Sequence, residues 1–388
     1  MENVIVLSLS MLINFAALFS WTYLVPVHLQ NLGATPTEVG IAYTCSTLAL
    51  MLFQLLGGIL ADRFGRKLMI VAPTFALPPL LILLFFTNSW LLAALLFILI
   101  NAFGGLQYPS FNALIAESTE NRNRAYIWFE AALSFGATLG PIFGAVLLWH
   151  SDMHTLFAIS AGVCFLAAFI ALIGLVETKH SEHTHERFNL REVLRPNLRW
   201  FFLASVFVSL TFSVTLLGPF PTMHLHEVLH QTESDINILF AAGWGIAALI
   251  SLFGESLAKR VGAKGIVMWN ALLHPAALVL WIYLGTSSWQ VALFIASFLF
   301  AQFLLVGNHL MIANLTTQAN RGRIGGLIGT FTGTIRSAGP ALAMQAKLAW
   351  GDWVPFGVAA LFGLFAFLAL IPCKILPTES TSDSQDNQ

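Results

Sequence analysis

The sequence predicts an all-α membrane protein of twelve transmembrane helices, arranged as two pseudo-symmetric six-helix bundles. Three observations predict it: apolar runs long enough to cross a bilayer, basic residues confined to alternate connections, and a half-length internal repeat. Of 388 residues, 57% are hydrophobic and 10% charged, and the mean hydropathy is +0.78. A soluble domain carries roughly a quarter charged residues to cover its surface. Hydrocarbon cannot hydrogen-bond backbone groups, so spanning segments must be apolar helices or closed barrels. Barrel strands alternate over about ten residues. Runs such as 68–86 and 354–370 are apolar throughout, which selects helices.

Turn residues and charges divide the chain into spans at 4–27, 38–61, 68–87, 90–116, 125–149, 154–176, 199–221, 235–258, 265–285, 289–316, 323–349 and 353–376. The first run is too long for a cleavable signal and is followed at once by a second span, so it reads as a transmembrane helix. Arg63, Arg66 and Lys67 follow span two, and Arg122 and Arg124 follow span four. Lys179, Arg187, Arg191, Arg195 and Arg199 follow span six, and Lys259, Arg260 and Lys264 follow span eight. Arg321 and Arg323 follow span ten, and Lys374 ends span twelve. The other connections hold no Lys or Arg apart from Lys347 at a helix end. Short basic loops stay cytoplasmic, so both termini are expected inside a bacterial cytoplasmic membrane. Trp90, Trp149, Trp289, Trp350 and Trp353 fall at the opposite ends, as an aromatic belt does.

The long polar stretch 177–198 separates an N-terminal bundle, 1–176, from a C-terminal bundle, 199–376; a polar tail at 377–388 is expected to be disordered. The halves repeat each other. Leu60-Ala61-Asp62-Arg63-Phe64-Gly65-Arg66-Lys67 recurs as Leu257-Ala258-Lys259-Arg260-Val261-Gly262-Ala263-Lys264, 197 positions later. Asn121-Arg122-Asn123-Arg124 recurs as Asn320-Arg321-Gly322-Arg323, and Gly140-Pro141 as Gly339-Pro340, both 199 later. His28-Leu29 is echoed by His224-Leu225. Parallel repeats of this kind let two bundles rock about a site between them.

The loop after span two, from Gly58 through Leu60, Ala61, Asp62, Arg63, Gly65, Arg66 and Lys67, resembles the complete signature of the major facilitator superfamily. That resemblance implies two six-helix bundles around a cavity lined mainly by spans one, four, seven and ten. It also implies that Asp62 meets the start of span eleven and latches an inner gate. The residues themselves suit such work. Gly58 lets helices approach, Gly65 permits a tight turn, and Arg66 is placed to pair with Glu117 at the inner end of span four. The plainer reading is a solvated, positive-inside loop, against which stands the acid embedded among its bases. In the second copy Lys259 stands where the acid would be.

Span five carries Gly136, Gly140, Pro141 and Gly144, followed by Ala145. This resembles the antiporter motif of drug-exporting members, with Ala145 in place of the last glycine. Small residues four apart also suit ordinary close helix packing. Two departures stand beside these matches: His28 follows Pro26-Val27 where a second proline is usual, and Asn101 occupies the place of the family's frequent span-four arginine.

Charges within a span are costly and mark function. Glu130 lies six residues past Arg124, about 9 Å into span five, and Arg336 lies thirteen past Arg323, about 20 Å into span eleven. Glu130 is the candidate proton carrier, because desolvation brings a carboxyl toward neutrality at working pH. Its plainer reading is an interfacial acid paired with Arg122 or Arg124; for Arg336 it is an interhelical bond to carbonyls. Polar candidates for the substrate cavity are Asn14, Thr22, Asn101, Gln107, Gln302 and His309. Gln302 and His309 are seven apart and share a helix face. His274, on a peripheral span, reads as structural.

Other classes find no support. Cys45, Cys164 and Cys373 are scattered and give no disulfide or metal spacing. His180, His183 and His185, and His224, His226 and His230, lack convincing ligand geometry. There is no phosphate-binding glycine loop, and no nucleophile, base and acid set for an enzyme. The expectation is a monomeric secondary transporter with no cofactor, driven by an ion gradient, with a small-molecule substrate, a lipid bilayer around it and no nucleic-acid partner. Proton-coupled efflux of amphipathic or drug-like compounds is the first reading. A metabolite, sugar or organic-anion carrier of the same fold is the alternative, and a transport-inactive receptor is a third.

Overall fold

In the computed structural model, residues 2–119, 121–178, 195–251, 254–284, 289–316 and 321–374 are described, and they form helices and turns without strands. Span one is α1 (Glu2–Thr22) continued by a short α2 (Val25–Asn31). Spans two to six are α3 (Pro36–Phe64), α4 (Arg66–Phe86), α5 (Trp90–Ser118), α6 (Arg122–Leu148) and α7 (Met153–Gly174). Span seven is α8 (Pro196–Val214), then α9 (Phe220–Met223) and a π-helical turn, His224–Val228. α10 (Glu233–Ser251) and the start of α11 (Gly254–Leu284) make span eight, and the rest of α11 makes span nine. Span ten is α12 (Trp289–Leu315), span eleven is α13 (Arg321–Ser337) with α14 (Gly339–Trp350), and span twelve is α15 (Val354–Leu370). Among the described residues ten helices are long and apolar enough to cross a membrane; α15, at 17 residues, and the divided span eleven complete the set.

Spans one, seven and eleven each break within their length. Spans one and seven run past the ends expected at 27 and 221, after a break, in helices that begin with Pro26 and Pro221 in their first turn. A proline loses no helical bond there and its φ is already set. His28 and His224 lie in these added segments, both buried against aromatic neighbours. Span eleven breaks at Ala338, before Gly339-Pro340, and a Cβ on Gly339 would lie 2.8 Å from that of Ser213 in span seven. The matching Gly140-Pro141 stays inside a continuous α6.

The turns follow local chemistry. Thr35 and Glu38 form a capping box at the start of span two. Asp152 caps span six by accepting from the Thr155 amide at 2.8 Å, and that bond holds its carboxyl below the usual carboxylate range. Gly65 and Gly262, at matching places in the repeat, both have positive φ, 97° and 76°, which glycine adopts without a Cβ clash. Each turn is tied to the end of another span, with the charges inverted between halves. Glu177, beyond span six, accepts from the amides of Arg66 at 2.7 Å and Lys67 at 3.1 Å, where the helix N-terminus favours an anion. Lys264, at the start of span nine, donates to the carbonyls of Ile371 and Cys373 at 2.9 and 2.8 Å, where the C-terminus favours a cation.

Within the N-terminal half, span one packs on spans five and six, span two on span four, and span three on spans four and six. Span seven packs on eleven and twelve, and span nine on ten and twelve. The halves meet along two seams, span five against eight and span two against eleven. One apolar core is shared by both halves at the end away from the basic loops, including Trp21, Tyr23, Phe220, Phe240 and Met344. Toward the basic loops the cores separate, one around Leu7, Ile70 and Phe111 and one around Phe201, Val267 and Met311. Among the described residues the molecule is therefore closed at one end and cleft at the other. Trp149, Trp289, Trp350 and Trp353 are exposed near the closed end.

Candidate functional site

The glycines of span five form a track for span one. A Cβ on Gly136 would stand 2.9 Å from the Leu12 carbonyl oxygen, one on Gly140 2.6 Å from that of Ala16, and one on Gly144 against that of Ser20. Glycine every four residues on one helix thus meets carbonyls every four residues on the other. Gly144 also makes room for Asn237 of span eight, whose amide nitrogen would be 2.5 Å from a Cβ there.

That crossing belongs to a set which closes the seam. Asn237 donates to the Ser20 carbonyl at 2.7 Å, Ser234 to Ala145 at 2.7 Å, and Thr222 to Tyr23 at 2.9 Å. On the other seam the Ala341 amide donates to Thr44 at 3.0 Å. Tyr23 stacks on Phe240 with ring centroids 4.1 Å apart. Among the described residues, hydrogen bonds between the halves gather at the closed end.

Below this seal lies a hollow of about 150 Å³, lined by Phe15 and Phe19 of span one, Leu133, Ser134 and Ala137 of span five, Trp244 and Ala248 of span eight, and Gln302 of span ten. Spans five and eight, rather than four and seven, join spans one and ten around it. The reason is the seam itself, which brings span eight against span five. Glu130 lies on the same face of span five as Leu133, Ser134 and Ala137, a turn nearer the cleft mouth. His309 lies two turns past Gln302 on the same face of span ten, toward the cleft mouth. Glu130 and His309 are both exposed. The Tyr108 hydroxyl of span four feels both Glu130 and Arg336. Arg336 is half-buried, and its Nε is enclosed without a hydrogen-bond partner.

The remaining sequence candidates fall elsewhere. Gln107 is a correction: it is buried and donates to Thr74 Oγ1 of span three at 2.8 Å, so it joins two helices of one bundle. Thr22 donates to its own helix at Leu18 and Asn101 to Phe97. Asn14 is buried with neither amide atom hydrogen-bonded. None of these four lines the hollow. His274 is buried and held on both ring nitrogens, by Thr215 and the Ser297 carbonyl, each at 2.8 Å. Tyr108, Phe15, Phe19, Trp244 and Asn237 had not been singled out, because an aromatic or amide inside an apolar run carries no mark of which way it faces.

Among the described residues, the motif loop braces its own half. Arg66 is buried, pairs with Asp62 at 2.7 Å and lies 3.5 Å from Glu117, which also accepts from Thr178. Gly58 approaches Pro109 of span four, and Arg63 lies over the Phe64 ring. The side chains of Arg122, Arg321, Arg323, Glu255 and Lys259 lie outside the described residues. So do His180, His183, His185 and the tail from 375.

Known proteins agree with this geometry. The chain is 24% identical over 334 residues to the quinolone resistance protein NorA of Staphylococcus aureus, covering 82% of this chain and 83% of that one. It is 26% identical over 361 residues to the multidrug resistance protein MdtG of Salmonella arizonae, covering 88% and 87%. The fold resembles the nucleoside transporter NupG, with a TM-score of 0.75 at 13% identity over 95% of this chain and 98% of that one. It also resembles an inward-facing, unoccupied bacterial homologue of the human lysosomal transporter Spinster, with a TM-score of 0.72 at 13% identity over 96% and 94%. The profile of the Major Facilitator Superfamily matches residues 7–340, and with the twelve-span fold and the motif loop this places the chain in that superfamily of membrane transporters.

Proposed function

We propose that this protein exports small amphipathic compounds bearing aromatic groups, exchanging them for protons by alternating access. The observation that carries the reading is the stacking of an aromatic hollow directly above an exposed carboxylate on one face of span five. Phe15, Phe19 and Trp244 offer apolar and cation-binding ring faces, and Glu130 at the mouth offers a site where a cation and a proton compete. A carboxylate that binds one or the other couples their movements, because both cannot be held at once. The basic loops set the cleft toward the cytoplasm, with both termini inside and the closed end outside. The protein acts as a monomer in the bacterial cytoplasmic membrane, without a cofactor. The resistance-protein names of the relatives support export.

Everted vesicles energised with a proton gradient test this reading. Ethidium should accumulate inside them and leave the medium, and Glu130→Gln should abolish the accumulation without lowering protein level. Full accumulation in that variant removes Glu130 from the coupling.

Arg336 favours a second reading. A buried guanidinium nitrogen without an acceptor suits an anionic substrate, as an organic-anion carrier of the same fold would need. Saturable uptake of an organic acid, lost in Arg336→Gln and accompanied by no movement of ethidium, would select it.

A further inference from the structure

The closed end carries two buried histidines at matching places in the repeat. His28 is on α2 and His224 on the π-helical turn, the two short helical pieces that extend spans one and seven. Both are 5% exposed. His224 has a hydrogen-bond partner on neither ring nitrogen, and His28 has none on Nε2. Each ring instead packs on an aromatic. His224 meets Trp281 edge to face at 4.7 Å, and His28 meets Phe157 at 5.1 Å. Neutral imidazoles carry an N–H and a lone pair, so burying them without partners forfeits hydrogen bonds a phenylalanine would not require.

The same two pieces hold the halves together. Gln30, two residues past His28, donates to Glu227, three residues past His224, at 2.6 Å across the seam. Asn31 reaches Glu233 of span eight at 3.4 Å. The charged groups about His224 are Glu227 on its own turn, Lys347 at the end of span eleven and Asp352 beyond it. Lys347 bridges those two acids at 2.7 and 3.3 Å, and neither acid accepts a hydrogen bond from the ring. The titratable group about His28 is His154 at the start of span six, whose own Nδ1 contacts the Phe85 carbonyl at 2.8 Å.

We infer that the closed end is released by acid on its own side: protons taken up by His28 and His224 open the seam that Gln30 and Glu227 hold shut. An imidazolium at His224 has two N–H donors and no hydrogen-bonded acceptor, and one at His28 has none on Nε2 and faces a second histidine. Opening carries both rings into water, where imidazole titrates near pH 6.5. The open form then binds protons more tightly than the closed form, so acid favours opening. The effect is absent above about pH 7.5 and grows below about pH 6.5. At pH 5.5 each histidine shifts the equilibrium by up to about tenfold. The inference rests on the closed-end geometry and holds whatever the cargo is.

The test uses the full chain in nanodiscs, with Cys45→Ser and spin labels at Asn88→Cys and Trp353→Cys, exposed positions on the two halves at the closed end. The distance distribution is measured by pulsed electron resonance at pH 7.5 and pH 5.5, with and without Glu130→Gln. The expected result is a long-distance population that grows about tenfold or more at pH 5.5, survives Glu130→Gln, falls in either His→Gln variant and is lost in the pair. Should His224→Gln be poorly folded, His224→Phe keeps the packing on Trp281 and should give the same loss. An unchanged response in the paired variant, a response abolished by Glu130→Gln alone, or no acid response in the parent overturns the inference.

Discussion

Asn237 of span eight donates its side-chain amide to the backbone carbonyl of Ser20 in span one, 2.7 Å away, through the space left by Gly144 of span five. Three spans from both halves thus meet at one glycine. The antiporter-like glycines therefore have two tasks: Gly136 and Gly140 set the spacing within a half, and Gly144 admits the partner half.

Gly144→Val fills that space. The added side chain must displace Ser20 or Asn237, at a cost of about 1–3 kcal/mol for overpacking. The closed end should loosen, and Ser20→Cys should become reactive toward a membrane-impermeant maleimide from outside. Asn237→Ala should raise the same labelling less. Unaltered labelling in both would show that this crossing does not hold the seam.

Gly65→Ala tests the brace of the motif loop. With φ at 97° and the Glu177 carboxylate 2.5 Å from the added Cβ, the cost is of order 1–3 kcal/mol. The melting temperature of purified protein should fall by several degrees. Glu177→Ala should lower it too, by uncapping span three, whereas Lys67→Ala, which keeps the backbone amide, should not.

Trp244→Ala removes the largest ring of the hollow. Affinity for planar aromatic cations should drop by about tenfold, or about 1.4 kcal/mol, in a fluorescence titration. Binding of small aliphatic cations should change much less, because they use the mouth at Glu130 more than the ring faces.

Much of this molecule was legible before the fold. Apolar runs and alternating arginines place twelve spans, because lipid and topology each leave a mark in the residues. The glycines of span five could be read because close packing demands small side chains at a fixed interval. Rotational phase was not legible. Gln107 sits on a helix expected to line a cavity yet turns to Thr74, and Trp244 looks in sequence like any lipid-facing tryptophan. Helices in membranes bury no consistent polar or apolar stripe, so the pattern that orients a soluble helix is missing. The broken ends of spans one and seven were hidden for a related reason: His28 and His224 are polar, and only the folded bundle shows the aromatic rings that bury them.

The exchange proposed here requires Glu130 to hold either a proton or the cargo. The direct measurement is proton release on substrate binding, followed with a pH-sensitive dye as ethidium is added to purified, weakly buffered protein near neutral pH. The expected result is net proton release on binding, of at most about one proton per bound molecule, and none for Glu130→Gln. Saturable binding with no release from the native chain, or undiminished release from Glu130→Gln, would contradict it.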